Sequence, residues 1–219
     1  TITGLTITRP EHNGVGLFDT ISSNPGGVIR NITLTDVSIT GSRYVGGLAG
    51  YNNAGTIRNV SVSGRVDGST EVGSLVGTTS GGTIRNVSAS GRVNGSTEVA
   101  GLVGINNGGT IRKASSSSHV NGSGPVGGLV GTNFGGGTIL EASASGRING
   151  TEVVGGFIGG NGDGTIRNAS ASGRVTGSSR VGGFVGANLD GMIRDVFAVG
   201  SITANTASGA GVVGSNDGT

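Results

Sequence analysis

The sequence predicts an all-β chain: a parallel β-solenoid with about 27 residues and three short strands per rung, over seven to eight rungs. Three observations lead there. Residues 55–72 (GTIRNVSVSGRVDGSTEV) and 82–99 (GTIRNVSASGRVNGSTEV) lie 27 residues apart and differ only at Val62/Ala89 and Asp67/Asn94. The Ile before the basic residue recurs at 29, 57, 84, 111, 139, 166 and 193, so the spacing is always 27 or 28. Within one unit the apolar residues Val87, Ala89 and Val93 share one parity and are separated by Ser and Arg, which is the period of a strand.

The elements follow from one end to the other. TITGLTI (1–7) and GLFDTISSNPGGVIRNITLTDVSITG (16–41) are the leading rungs, within 1–45. Regular rungs fill 46–210, and 211–219 is a truncated last rung of the same single domain. In each regular unit one strand is expected on EVGGLVG, one on TIRNV and one on SASGRV, with Gly-Gly, Asn-Gly and Gly-Ser marking the turns. A lone rung cannot pair its backbone or bury its apolar face. A stack does both at a rise of about 4.8 Å, giving a rod roughly 35 Å long. Identical residues then form columns. One interior column is Val66, Val93, Val120, Ile148, Val175 and Ile202. A second is Val60, Val87, Ala114, Ala142, Ala169 and Val196, and a third runs from Leu17 and Leu48 to Phe184 and Val212. Extra residues at DTISSNPGGV (19–28), Gly135–Gly137 and Val153–Val154 are expected to bulge outward at turns.

Composition narrows the function. Gly supplies 49 of 219 residues and aromatics only 3%, so the core is narrow. There is no Cys, hence no disulfide or thiolate metal site, and no run of 18 apolar residues to span a membrane. Net charge is +2, and 13 of the 14 basic residues are Arg, a weak profile for a nucleic-acid binder. The chain begins TITGLTITRP and ends VVGSNDGT and is read as a piece of a larger protein.

The unit G-[LF]-[VIA]-G-x-N-x-x-G-x-I, seen in GLAGYNNAGTI, GLVGINNGGTI and GFVGANLDGMI, resembles the GLUG repeat. The resemblance covers nearly the whole chain. It departs at GTTSGG (77–82), where Thr79 replaces the motif Asn. It implies a large bacterial exported protein: an adhesin, a filamentous-haemagglutinin-like exoprotein, or a non-catalytic part of an IgA-specific metallopeptidase. The zinc motif H-E-x-x-H of such peptidases is absent, since His12 and His119 are the only histidines.

Several columns carry chemistry. Asn52, Asn106, Asn133, Asn161, Asn188 and Asn216 share a turn position and are read as a structural hydrogen-bonding column. Arg30, Arg58, Arg85, Arg112, Arg167 and Arg194 stack on one face, interrupted by Leu140. Like charges at rung spacing repel by about 1 kcal/mol per close pair in water, so something must offset them. This ridge is either a solvated face or the site for a polyanion or acidic glycan. Asn31, Asn59, Asn86 and Asn168 follow the Arg, with Lys113, Glu141 and Asp195 substituting; Lys113 and Glu141 are expected to pair at the surface. A second basic column, Arg65, Arg92, His119, Arg147 and Arg174, is expected to pair with Glu71, Glu98 and Glu152 around a corner. Asp163, Asp190 and Asp217 sit in similar turns, but one Asp per rung is thin for calcium. Neither a metal, a cofactor nor a catalytic set is expected. Tyr44, Tyr51 and Phe134 are the only plausible exposed aromatics.

The reading is therefore a non-catalytic stalk or multivalent adhesive surface, extracellular or on the bacterial cell surface. Its expected partners are a host or matrix glycan, another surface protein, or further copies end to end, with no nucleic acid and no membrane span. The alternatives are a self-assembling fibre subunit and the scaffold of a carbohydrate-active or proteolytic exoenzyme. An ice-binding face fits poorly, because Arg stands beside Thr in the T-I-R rows.

Overall fold

The computed structural model describes residues 1–23, 27–205 and 209–217; part of the first expected bulge, 24–26, lies outside them. Every described element is a strand, and the strands stack into three parallel sheets of 13, 7 and 8 members. We call these A, B and C. Sheet A takes the TIRNVSASGRV segments, sheet B the TEV segments and sheet C the VGxN segments. The register is that of the sequence period: Ile57 pairs with Ile84, Ile84 with Ile111, and Val99 with both Val72 and Val126.

The strands are cut differently from the expectation, although there are still three faces. TIRNV and SASGRV form one continuous strand over Thr56–Asp67 and again over Thr83–Asn94, because the Gly at 64 and 91 continues pairing at φ of 135° and 114°. From Thr110 onward the segment breaks in two, both where Ser117 and Ser118 replace the Ser-Gly of the earlier rungs and in the later rungs that restore Ser-Gly at 145–146 and 172–173. The expected EVGGLVG strand is instead two strands, Thr70–Gly73 in sheet B and Val76–Ser80 in sheet C, joined at Ser74 and Leu75.

That joint explains the two glycines of the G-L-x-G unit. The corner is turned inward and presses on sheet A. A Cβ on Gly101 would lie 2.1 Å from Ser116 Oγ, and one on Gly128 would lie 2.9 Å from the Ala144 methyl. Sheet A answers with a column of small residues, Val62, Ala89, Ser116, Ala144 and Ala171, all buried. The second glycine lies against the backbone of sheet B: a Cβ on Gly77 would meet Val45 N at 2.5 Å and Glu71 O at 2.7 Å. At this second position only glycine permits strands from two sheets to approach this closely, whereas Ser74 fills the first position in one rung.

The core runs the length of the rod on both sides of this pinch. The Val66 column and the Leu48-to-Phe184 column are buried as expected, while near the ends Leu17 and Ile202 are partly exposed and Val212 is exposed. Phe157 stacks face to face on Phe184 with centroids 4.6 Å apart, which is the rung spacing imposed on two rings. The Ser74 and Ser118 hydroxyls hydrogen-bond at 3.1 Å inside the pinch, and Ser118 Oγ also donates to the Gly101 carbonyl. In the leading rungs Ile2–Thr3 and Thr6–Thr8 pair in parallel with Val28–Thr40, and a bulge between Leu34 and Val37 absorbs one extra residue.

Candidate functional site

The outward face of sheet A carries the Arg column in the expected register. Arg30 pairs with Arg58, Arg58 with Arg85, and Arg85 with Arg112; Leu140 then intervenes before Arg167 and Arg194. Arg112 is bound by Glu141, which accepts from Nη2 at 2.7 Å and from Nε at 3.0 Å. Lys113 reaches the other oxygen of Glu141 at 4.0 Å, so the expected Lys113–Glu141 pair is present. Arg30, Arg58 and Arg85 make no ion pair among the described residues. Arg85, Asn86, Arg112 and Lys113 line a shallow depression of about 100 Å³.

The residue after each Arg is held at positive φ: Asn31, Asn59, Asn86, Lys113, Glu141, Asn168 and Asp195 lie between 51° and 57°. Left-handed backbone costs an ordinary L residue roughly 1–2 kcal/mol, and Asn tolerates it best, which is why Asn fills most of this column. Asn86 donates to Asn59 Oδ1, and Asn59 to Asn31 Oδ1 at 2.9 Å. The bend points the Arg and its neighbour into solvent together.

The turn column is an amide ladder. Asn106 Nδ2 donates to Asn133 Oδ1 at 2.7 Å, and the chain continues at 2.9 Å through Asn161 and Asn188 to Asn216. Each of these donors, Asn52 included, also satisfies a turn carbonyl, such as Gly109 for Asn106 and Gly164 for Asn161. Asn52 to Asn188 are buried. Thr79 breaks the ladder. Its hydroxyl accepts from Asn52 at 2.9 Å and donates to the Gly81 carbonyl, leaving no proton for Asn106 Oδ1, which is buried without a partner.

A further ladder was not anticipated as one. Asn149 donates to Asn121, Asn121 to Asn94, and Asn94 to Asp67 Oδ1 at 2.6 Å. Arg65 Nε binds the other Asp67 oxygen, and this carboxylate raises the Arg65 pKa. The 27-residue recurrence of Asp67 and Asn94 was the available signal. The expected pairing of the second basic column with Glu71, Glu98 and Glu152 is therefore corrected. Arg65 turns to Asp67 on its own strand, two residues on, and Glu71 is taken by Arg43. Glu152 does not share the Glu71 column at all: Val153 pairs with Pro125 there and Glu152 is exposed. Asp163, Asp190 and Asp217 are exposed at turns, and among the described residues no group of three His, Asp or Glu could hold a metal ion.

Between sheets B and C the inward corner leaves a valley on the outside. Residues seven apart face each other across it: Tyr44 with Tyr51, Glu71 with Thr78, and farther along Pro125 with Thr132 and Arg180 with Ala187. Tyr44 and Tyr51 meet edge to face at 5.7 Å, and the Arg43 guanidinium lies 4.5 Å from the Tyr44 ring. Arg43 Nε donates at 2.7 Å to Glu71, whose other oxygen accepts from Thr78; the carboxylate raises the Arg43 pKa. At the far end Pro125, Thr132, Phe134, Val153 and Leu189 line an apolar stretch of about 300 Å³.

The chain is thus a rod of stacked 27-residue rungs with chemically distinct long faces, a structural repeat segment. The family described as the GLUG motif matches residues 41–67, 68–94, 122–149, 150–176 and 177–203, and the chain belongs to that family. Residues 95–121 keep the same register between the matches. Halomucin of Haloquadratum walsbyi is 47% identical over 66 residues, which is 30% of this chain and 1% of that protein. The crystal structure of a Bacteroides ovatus chain described as a candidate immunoglobulin A1 protease superposes with a TM-score of 0.68 at 25% identity. The match covers 89% of this chain and 66% of that one, so this chain spans less than two thirds of either relative.

Proposed function

We propose that this chain is a non-catalytic, extracellular segment that binds linear polyanions, acidic or sulfated glycans foremost, along the outward face of sheet A. The observation that carries the reading is the run Arg30, Arg58, Arg85, three arginines in register on adjacent rungs with no ion pair among the described residues, extended by Arg112 and Lys113. The charge distribution supports it. Eleven of the 14 basic residues but only four of the 12 acidic ones lie in sheet A strands or immediately before them. That face carries a net +7 against −5 for the remainder, although the chain as a whole is only +2. An anionic polymer laid along the rod would relieve the repulsion at each step, and weak contacts would multiply with rung number. The likeness to halomucin and to the GLUG family supports a surface or secreted setting.

The test is binding of heparin-like and carboxylated glycans at low and physiological salt. Binding to the parent chain should fall steeply with salt and vanish in Arg58→Ser/Arg85→Ser/Arg112→Ser. Glu141→Gln, which releases Arg112 and Lys113, should strengthen it. No binding at low salt, or binding unchanged in the triple variant, would leave a passive stalk. A second reading, the scaffold part of an exported protease, is favoured by the likeness to the Bacteroides chain. Absence of proteolytic activity in the intact parent protein would count against it.

A further inference from the structure

We propose that the valley between sheets B and C is a second ligand site, and that its Tyr44–Tyr51 end binds a neutral, pyranose-containing glycan. It lies on a different face from the Arg column and does not rest on the polyanion reading.

The first observation is a contrast between columns. Two stacking columns are near uniform: Ile at 57, 84, 111, 139 and 166, and Asn along the turn ladder apart from Thr79. The two columns that face each other across the valley are not uniform. One reads Tyr44, Glu71, Glu98, Pro125, Val153 and Arg180; the other reads Tyr51, Thr78, Ile105, Thr132, Gly160 and Ala187. Most rungs offer different chemistry at this place, and a Tyr faces a Tyr at 44 and 51.

The second observation is strain. Tyr44, Glu71, Glu98 and Arg180 have φ of 55°, 57°, 50° and 48°. The left-handed positions of sheet A are filled mostly by Asn, which adopts that backbone cheaply, whereas these four carry residues that do not. Gly or Asn would relieve the backbone at each of them. Strain retained for the sake of a side chain is a mark of a functional position.

The third observation identifies the ligand chemistry. Tyr44 and Tyr51, the only two tyrosines, meet in this valley and are half-buried, so their rings are fixed but their edges remain accessible. Arg43 lies over the Tyr44 ring, which closes that face to a cationic ligand. It also neutralises Glu71, whose side chain is 6% exposed against 52% for Arg43. What the site presents is aromatic surface for C–H groups, with the Arg43 guanidinium and the tyrosine hydroxyls for neighbouring hydroxyl groups; buried Glu71 and Thr78 fix the guanidinium from beneath and leave little uncompensated charge. An apolar ring face edged with hydroxyls is the chemistry of a neutral sugar.

The experiment is an array of neutral glycans probed with the whole chain at about 1 M salt, where screening acts within about 3 Å and ionic binding is suppressed. Two variants use residues the fold already accommodates. Tyr51→Thr copies Thr78, its register partner, and Tyr44→Asn places Asn at a left-handed position. The parent should retain at least one neutral glycan, and each variant should weaken it about tenfold or more with an unchanged melting temperature. Arg58→Ser/Arg85→Ser/Arg112→Ser should retain it fully. Absence of any retained neutral glycan, full retention by Tyr51→Thr and Tyr44→Asn, or loss in the Arg variant would overturn the proposal.

Discussion

Replacing Thr79 by Asn should stabilise the rod, and the gain follows from counting protons in the turn ladder. Thr79 has one hydroxyl proton, which goes to the Gly81 carbonyl, while its oxygen accepts from Asn52. Asn106 Oδ1 is left buried with no donor. An Asn at 79 has two amide protons. One reaches the carbonyl three residues on, as Asn52 and Asn106 do at Gly55 and Gly109; the other reaches Asn106 Oδ1. Its own Oδ1 takes over the proton from Asn52. An unsatisfied buried acceptor costs about 1–3 kcal/mol. Ordering a longer side chain takes back up to roughly 1 kcal/mol. The net is about 1–2 kcal/mol, or roughly 2–8 °C in melting temperature at this chain length. Because stacked rungs need not unfold as one unit, hydrogen exchange at Gly81–Thr83 and in the next rung at Gly108–Thr110 should be followed alongside the thermal melt. The double-mutant cycle with Asn106→Ala isolates the cause. The gain must disappear when Asn106 is gone. A variant that fails to gain, or gains equally in the Asn106→Ala background, would refute the ladder argument.

Two other substitutions probe the same packing. Besides the Asn52 and Asn106 amide oxygens, Thr132 Oγ1 is a buried atom without a partner, so Thr132→Val, which keeps the shape and removes the hydroxyl, should be neutral or stabilising by up to about 1 kcal/mol in a thermal melt. Gly104→Ala and Gly160→Ala should part company. A Cβ on Gly104 would meet Gly77 O at 2.6 Å and Glu98 O at 2.8 Å, and backbone cannot move aside, so a loss of about 3 kcal/mol or outright misfolding is expected. Around Gly160 the nearest atom is 3.8 Å away and Ala187 already occupies the next register position, so a gain of about 0.4–1 kcal/mol is expected.

How far the sequence could be read depended on whether a feature was repeated or arose from contact between unlike segments. Repetition identifies a stacking partner directly, because residue i pairs with its copy one rung on. The Ile, Val, Leu, Asn52 and Arg30 columns were legible for that reason, and Lys113 with Glu141 was legible as opposite charges on adjacent rungs. Contacts within a rung have no such clock. Gly-Gly before Leu reads as punctuation, and nothing in the letters says that this corner turns inward onto Ser116 and Ala144. Arg65 to Asp67 is a pair two residues apart along a strand, while the expected Arg65 to Glu71 spans a corner whose angle was unknown. Left-handed backbone at Tyr44 and Glu71 was hidden because neither residue advertises it, whereas Asn31, Asn59 and Asn86 could have done so.

The same distinction explains how a chain this repetitive can still be specific. Stacking favours similarity wherever a side chain touches its own copy, so the core columns hold to apolar or small residues and the amide ladders to Asn with single departures at Thr79 and Asp67. A polyanion-binding strip gains from identity too, since an evenly charged polymer needs the same guanidinium at each step, and Leu140 marks where that strip is interrupted. A site for a ligand of one defined shape cannot be made this way. It needs residues that occur once, placed where a change disturbs neither the core nor the ladders. The outer walls of the B–C valley meet that condition: the glycines beneath hold the two sheets together, and the side chains above are free to differ. Tyr44 and Tyr51 occupy that place, as do Phe134 and Leu189 farther along. Uniform faces suit avidity and the varied valley suits selectivity, and one rod presents both because its rungs repeat everywhere else.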